Sequence, residues 1–215
     1  MNEQDARHQL CEWGHRLWNR GLIGASEGNL SVRLDADRIL CTPSGASKGH
    51  LRPGDLVVVD QDGKSIGPGR PSSEIHSHLR ALRIRPDANA VIHAHPPYAT
   101  GFASAGLTLP DDVIPEASMV LGKVALVPFA MPCSPALADA LEPWLTRHKT
   151  FLLANHGALT LGSNIEDAGN RMETLERIAH VVFVARALGG LRSLPPDVAR
   201  QLRHAAEAYE LIPNV

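Results

Sequence analysis

The chain has 215 residues, 44% of them hydrophobic and 20% charged, and its formal net charge at pH 7 is −2. This composition is ordinary for a soluble globular protein with a sizeable buried core, and it predicts a single domain over residues 1–215. Because the charge is close to zero and offers no basic stripe, we expect no nucleic-acid partner.

The cysteines and the N-terminus indicate the compartment of the protein. Cys11, Cys41 and Cys133 are odd in number and far apart, which is typical of a reducing cytoplasm rather than a disulfide framework. The first residues are polar, and no apolar run approaches the roughly 20 residues that a membrane span requires. We therefore expect a cytoplasmic protein with no membrane partner.

The first third of the chain predicts a helix, a β-hairpin and a further strand, from its apolar spacing and turn residues. The predicted bounds are 5–20 for the helix, 30–34 and 38–41 for the hairpin, and 57–59 for the last strand. Two loops of small and hydroxyl residues, 21–31 and 42–48, separate these elements. Their backbone N–H groups suit an anion, although each loop taken alone is better explained as a turn.

A second helix is predicted from Arg70-Pro-Ser-Ser-Glu74 to about residue 85. Ser72 or Ser73 is its expected N-cap, and free N–H groups at a helix start favour an anion. With the two loops, this gives three stretches of neutral donors for one phosphate group. Within the helix we expect a structural or supporting role for His78 and solvent exposure for His76, because side chains two apart point in different directions.

The segment Ala90–Pro97, Ala-Val-Ile-His-Ala-His-Pro-Pro, predicts the end of a buried strand that carries His93 and His95. Side chains two apart on a strand share a face, so the two imidazoles project together, as neighbouring ligands of a divalent metal do. Taken alone, a His-x-His motif is equally well explained by two histidines at the protein surface.

A third histidine, His156, follows another short apolar strand over 150–154, where Asn-His-Gly turns the chain. Three neutral imidazoles with an open fourth position describe a catalytic zinc site rather than a structural one. Glu74 is the carboxylate expected to complete the ligand shell at rest, or to act as a base beside the metal.

The other predicted elements follow the same rules of spacing and capping. Helices are predicted over 98–105, 135–147 and 164–188, with a last helix to about 209, and strands over 124–129 and 158–161. Residues 109–117 are predicted to form a loop.

Five motifs together resemble the class II aldolase/adducin family, and most of all its L-fuculose-1-phosphate aldolase branch. In chain order they are Gly28-Asn-Leu-Ser31, Thr42-Pro-Ser-Gly45, Pro71-Ser-Ser-Glu74, Pro86-Asp-Ala-Asn-Ala-Val-Ile-His-Ala-His95 and Asn155-His-Gly157. They span nearly the whole chain in the family's order. The resemblance implies a three-layer α/β/α fold, with a central, mainly antiparallel sheet flanked by helices. It also implies a homotetramer with active sites at subunit interfaces.

The resemblance also implies roles for the matching residues. His93, His95 and His156 match the zinc ligands, with one Zn²⁺ per chain or another divalent metal in its place. Glu74 matches the acid/base residue, which also binds the metal when no substrate is present. The residues that match the phosphate cradle are Asn29, Ser44, Gly45, Ser72 and Ser73.

The family's proton-donating tyrosines are matched only in part. Residues 109–122 contain no tyrosine, and Glu116 is the acidic candidate there, close to Met119. A second tyrosine, on the C-terminal tail of the family, is matched by Tyr209, which is equally well explained as an ordinary tail aromatic.

The resemblance implies a zinc-dependent aldolase that cleaves a small phosphorylated ketose to dihydroxyacetone phosphate and an aldehyde through a metal-stabilised enediolate. Such an enzyme is a carbon–carbon lyase of carbohydrate metabolism. The missing tyrosine leaves open a sugar-phosphate 4-epimerase, a sugar-acid phosphate decarboxylase and a methylthioribulose-phosphate dehydratase. A non-catalytic adducin-like module is a remoter alternative, because such a module is expected to lose the metal ligands, which are present here.

Overall fold

The computed structural model describes residues 2–208, so Tyr209 and any role for it lie outside the described residues. The centre of the fold is one seven-stranded sheet. Its strands are β1 Asn29–Arg33, β2 Ile39–Cys41, β3 Val57–Val59, β4 Ala90–Ala94, β5 Ala125–Val127, β6 Thr150–Leu153 and β7 Gly157–Gly162. The strand order is β3-β2-β1-β4-β7-β6-β5, and every neighbouring pair is antiparallel except β5 and β6. The expectation of a mainly antiparallel sheet is confirmed.

Six α-helices flank this sheet in the described part of the chain. They are α1 Glu3–Asn19, α2 Ile75–Ile84, α3 Pro97–Ser104, α4 Pro135–Leu145, α5 Ile165–Ala187 and α6 Pro196–Ala208. All lie within a few residues of their predicted bounds. A π-helical turn, Ala117–Leu121, follows the predicted loop and has no counterpart in the sequence prediction. Within residues 2–208, no helix combines the length and apolar character that crossing a membrane requires.

Side chains alternate between the two faces of the sheet and build a separate core on each. On one face, Val91, Leu159 and Leu161 pack with the buried sides of α2 and α4. On the other, Ala90 and Ile92 pack with α1, α3 and α5. Central strand β4 is buried along its whole length, as expected of a strand covered by helices on both sides. The predicted three-layer α/β/α architecture is confirmed.

The start of α2 differs from the prediction. Its N-cap is Glu74, not Ser72 or Ser73, and the Glu74 side chain makes no capping hydrogen bond. The Ser72 hydroxyl instead accepts a hydrogen bond from the Glu74 N–H at 3.3 Å, which holds the turn that precedes the helix. Ser73 and Ser72 therefore lie one and two residues before the N-cap position. This leaves the Glu74 carboxylate available for other contacts.

The packing of α1 against α5 depends on a glycine. Gly169 faces the buried Trp13 ring, and a Cβ at this position would lie 2.2 Å from Trp13 Cζ3. We expect Gly169→Ala to lower the free energy of unfolding, because overpacking of about 1–3 kcal/mol outweighs the roughly 1 kcal/mol gained in helix propensity. Urea unfolding followed by circular dichroism measures the change.

Gly101→Ala on α3 is the matched control, since Gly101 is exposed and a Cβ there would meet nothing within 4 Å. It should raise the free energy of unfolding by about 0.5–1 kcal/mol. Equal stability of the two variants would contradict the packing argument.

Candidate metal centre and active site

The sheet register brings the three candidate ligands to one end of the central strands. His93 lies opposite Asn29 of β1 and Leu159 of β7, both of which run antiparallel to β4. Strands β1 and β7 therefore begin where β4 ends. His95 follows the end of β4, and His156 lies in the tight β6–β7 connection, one residue before β7 starts.

Two local backbone features allow this arrangement. Asn155 has a φ of 54°, so it supplies the left-handed conformation of the β6–β7 turn, which asparagine tolerates better than most residues. Gly157 is required for a different reason, because a Cβ there would lie 2.5 Å from His95 Cδ2 and 2.6 Å from the Ala94 carbonyl oxygen. The glycine thus lets the His95 ring approach the β7 backbone.

The three imidazoles face one another. Their ring centroids are 4.7 Å apart for His93 and His156, 4.9 Å for His93 and His95, and 5.1 Å for His95 and His156. One ring nitrogen from each lies within 4.8 Å of the other two. Three nitrogens at this spacing are able to ligate one ion.

The partners of the outer ring nitrogens determine which nitrogens carry protons. His93 Nδ1 lies 2.9 Å from the Ala158 carbonyl oxygen, and His95 Nδ1 lies 3.1 Å from Glu27 Oε2. Both acceptors require an N–H, so each neutral ring presents a lone pair at Nε2. These two Nε2 atoms are only 3.2 Å apart. Two lone pairs at this distance repel each other unless a cation or a proton lies between them.

The electrostatics of His93 favour a metal cation over a proton. Burial lowers the pKa of His93 to about 3, against the opposing charge of Glu74, so the ring stays neutral at physiological pH. The pKa of His156 is also lowered, and burial is the main cause. Neutral imidazoles whose second nitrogen is fixed by a carbonyl or carboxylate are the usual ligands of zinc. The residues present therefore fit a divalent metal.

Glu74 lies beside the three rings. Its Oε2 is 3.2 Å from His93 Nε2, and its Oε1 is 3.5 Å from His156 Nε2. Asn29 Nδ2 donates to Oε2 at 3.0 Å, whereas Oε1 has no hydrogen-bond partner among the described residues. Burial raises the pKa of the carboxyl group, but His93 and the Asn29 hydrogen bond outweigh it, and the net shift is downward. Glu74 is thus a buried carboxylate with one oxygen free.

A cavity of about 190 Å³ contains all nine of the sequence-predicted site residues that lie within 2–208. Its lining includes Asn29, Ser44, Gly45, Ser72, Ser73, Glu74, His93, His95 and His156. The three donor stretches, which sequence alone does not bring together, meet here. Two backbone hydrogen bonds join the second and third stretches, from Ser44 N to Arg70 O at 3.0 Å and from Ser72 N to Thr42 O at 3.1 Å. The N–H groups of Ser44 and Ser72 are therefore already used.

Six further residues line the cavity and were not among the predicted site residues: Ser26, Glu27, Gly28, Lys48, Pro132 and Cys133. Glu27 holds the site most directly, since Oε1 accepts from Gly24 N at 2.6 Å while Oε2 accepts from His95. It immediately precedes the Gly-Asn-Leu-Ser motif, and only that position in the sequence marks it. The exposed Cys133 accepts a hydrogen bond from the Ser73 hydroxyl at 3.0 Å.

The remaining candidates lie away from this cavity. Glu116 is exposed and does not line it. His78 is buried, with Nδ1 2.7 Å from the Ser31 hydroxyl, and burial lowers its pKa to about 4. His76 is exposed, as expected. The position of His78 fits a supporting role beneath β1 rather than a place among the ligands.

Comparisons with known proteins give a family and two reactions. The sequence profile of the family described as "Class II Aldolase and Adducin N-terminal domain" matches residues 8–183. The 3-oxo-tetronate 4-phosphate decarboxylase of Haemophilus influenzae is 35% identical over 187 residues, covering 85% of this chain and 89% of that protein. The L-fuculose phosphate aldolase of Methanococcus maripaludis is 36% identical over 173 residues, covering 80% of this chain and 93% of that protein. The crystal structure of YgbL from Klebsiella pneumoniae superposes with a TM-score of 0.87 at 33% identity, covering 94% of this chain and 100% of that protein.

The Glu27–His95 contact generates a prediction about metal affinity. Glu27→Gln keeps one oxygen for His95 Nδ1, replaces the oxygen that accepts from Gly24 N with an amide group, and removes the negative charge that makes the ring a better ligand. We expect zinc affinity to fall by roughly 10–100-fold, the range typical of such supporting carboxylates. Competition with a chromophoric chelator measures it, and Glu12→Gln on the exposed face of α1 is the matched control. Zinc affinity unchanged in Glu27→Gln would show that the carboxylate does not tune the ligand.

Proposed function

The chain belongs to the class II aldolase and adducin family, as its motifs predict, and we propose that it is a metal-dependent lyase. Its reaction would cleave the bond between the carbons α and β to the carbonyl group of a small phosphorylated sugar or sugar acid. One observation carries the proposal: three imidazole lone pairs and the Glu74 carboxylate converge at one cavity, whose remaining lining is rich in neutral hydrogen-bond donors.

In this proposal His93, His95 and His156 hold one Zn²⁺ per chain, and Glu74 is close enough to join them. A zinc ion in this position supplies a Lewis acid that polarises a carbonyl oxygen and stabilises the negative charge developing on it. The chain's own residues orient the substrate and move the proton. Neutral donors from Asn29, Ser44, Gly45, Ser72 and Ser73 are proposed to bind the phosphate.

The supply of acid–base groups favours decarboxylation. Aldol cleavage requires a base for the hydroxyl group beyond the breaking bond, in addition to the group that protonates the new carbanion. Loss of CO₂ removes no proton, and a single proton delivered to the carbon completes the reaction. Within residues 2–208, the carboxylates that line the cavity are Glu27 and Glu74, and both Glu27 oxygens are engaged by Gly24 and His95. Of these two carboxylates, Glu74 is the one with a free oxygen, and because its lowered pKa keeps it ionised at rest, we assign it the role of taking up a proton from water and passing it to that carbon.

Our first candidate is therefore decarboxylation of a 3-oxo sugar-acid phosphate. For a four-carbon substrate the carboxyl carbon leaves as CO₂, the bonding electron pair stays on C2, and protonation there gives dihydroxyacetone phosphate. The reaction named for the Haemophilus influenzae relative supports this choice.

Aldol cleavage of a ketose 1-phosphate is the second candidate, and it is supported by the aldolase among the relatives. The second base it needs would come from outside the described cavity. A neighbouring subunit of the predicted homotetramer is one source, and Tyr209, outside the described residues, is another. Both candidates leave the same fragment, dihydroxyacetone phosphate, next to the metal ligands.

Product analysis of the zinc-loaded protein by ¹³C NMR tests the two candidates. With 3-oxo-tetronate 4-phosphate we expect release of CO₂ and formation of dihydroxyacetone phosphate. With L-fuculose 1-phosphate or 5-deoxy-D-ribulose 1-phosphate we expect a much lower rate. Aldehyde formation without CO₂ release would reverse the order of the candidates. Inactivity on all three substrates, in a preparation with full zinc, would reject the proposal.

Replacing Glu74 tests the proton transfer. Glu74→Gln preserves the size of the side chain and a hydrogen bond from Asn29 but cannot take up and release a proton, so we expect kcat to fall by roughly 10²–10⁴-fold. The three histidines should retain most of the zinc. Glu116→Gln is the matched control, because Glu116 is exposed and lies outside the cavity lining. A near-normal kcat in Glu74→Gln would remove this residue from the proton transfer.

A further inference from the structure

A buried lysine forms part of the wall of the cavity. Lys48 is only 2% exposed and begins the 3₁₀ turn Lys48–His50. It follows the Ser44-Gly45 donors in the same loop, and all three residues line the cavity. Lysine is almost never fully buried without a partner for its charge. The partners of Lys48 therefore indicate what its ammonium group is for.

The protein does not provide an anionic partner in contact with Lys48. Its Nζ donates a hydrogen bond to the carbonyl oxygen of Ser26. Among the described residues, no carboxylate oxygen lies within 4.0 Å of this nitrogen. An ammonium group has three donors, and a single neutral carbonyl satisfies only one of them. Two donors and the full positive charge are left without a protein acceptor.

The electrostatic surroundings of Lys48 also indicate that its charge has no direct anionic partner. Burial lowers the pKa of Lys48, and the carboxylates of Glu74 and Glu27 oppose this shift from a distance. Both carboxylates already have other duties, since Glu74 contacts the candidate metal ligands and Glu27 accepts from His95. The lysine charge is therefore tolerated in the cavity without being directly neutralised.

The proposed phosphate cradle lacks a positive charge, whereas Lys48 lacks a negatively charged partner. Its donors are the amide of Asn29, the hydroxyl groups of three serines and backbone N–H groups, all of them neutral. A phosphate monoester carries about −1.5 to −2 charges at pH 7, and burying such a charge is costly unless a cation compensates it. Among residues 2–208, Lys48 is the one lysine or arginine that lines the cavity.

We propose that Lys48 binds the phosphate group of the substrate and sets the preference of the site for phosphorylated over unphosphorylated compounds. This inference rests on the proposed function for the identity of the substrate. It adds a specificity-determining cation to a cradle that is otherwise neutral. The substrate's own carboxylate would offer the same oxyanion chemistry, so the experiment has to separate the two groups.

A structural role for Lys48 is the other explanation to be tested. Its hydrogen bond to Ser26 ties two cavity loops together, and any side chain with a donor of similar length would serve that purpose. Lys48→Gln keeps a donor but removes the charge, and Lys48→Arg keeps the charge. The two variants therefore separate charge from loop attachment.

Binding to the zinc-loaded protein is measured by titration calorimetry with four probes: inorganic phosphate, dihydroxyacetone phosphate, dihydroxyacetone and a tetronate. Removing a hydrogen bond to a charged group corresponds to a loss of roughly 10- to 150-fold in affinity. We expect a loss of this size for both phosphate probes in Lys48→Gln and a smaller loss in Lys48→Arg. Dihydroxyacetone and the tetronate should bind as they do to the wild type, and zinc affinity should not change.

Three results would overturn the proposal. Weaker tetronate binding with unchanged phosphate binding would assign Lys48 to the substrate's carboxylate. Equal losses for all four probes, or a loss of zinc, would show that Lys48 holds the loops. Unchanged binding of every probe would leave the lysine without a role in recognition. A wild type that binds phosphate through Lys48 but turns over none of the sugar phosphates would reject the proposed reaction alone.

Discussion

The structure depends on two nitrogen lone pairs held 3.2 Å apart, on His93 and His95. The Ala158 carbonyl and the Glu27 carboxylate each hold a ring proton on Nδ1, so the Nε2 lone pairs of His93 and His95 face each other. Only a positively charged species relieves the repulsion, and burial of His93 makes a proton the poorer choice. The need for a cation is therefore a property of the tertiary structure, beyond the presence of three histidines.

The sheet topology supplies the stiffness that this arrangement requires. Strand β4 is buried on both faces and hydrogen-bonded on both sides, so His93 has little freedom to move away. Antiparallel pairing places the starts of β1 and β7 beside the end of β4, which brings Asn29 and His156 to the same edge. A parallel arrangement would send those residues to the opposite end of the sheet. The mixed sheet of this fold thus places residues from distant parts of the chain in one small cavity.

Most elements of this architecture follow from local sequence. The apolar segments of β4 and β6 and the double proline after His95 each define a boundary through their own chemistry. The positions of the three histidines at strand ends and the motif resemblance both predict the ligand set, although spacing alone links only His93 to His95 directly. The sequence marks Lys48 only as a possible cation near the phosphate donors and does not mark Glu27 as a site residue, because the roles of both depend on loops that meet only in the folded chain. The capping prediction at Ser72 or Ser73 was wrong for the same reason, since bonds to Thr42 and Glu74 hold that turn outside the helix.

The positions of the charges connect the proposed reaction to the proposed role of Lys48. Decarboxylation converts a carboxylate into neutral CO₂, so an enzyme gains by leaving that carboxylate uncompensated in the ground state. A lysine paired with the carboxylate would stabilise the substrate and slow the loss of CO₂. A lysine paired with the phosphate provides binding energy at a group that does not react, while Glu74 and Glu27 lie at the reacting end of the cavity, beside the metal ligands. Placement of Lys48 in the same loop as the Ser44 and Gly45 donors agrees with this division between binding and chemistry.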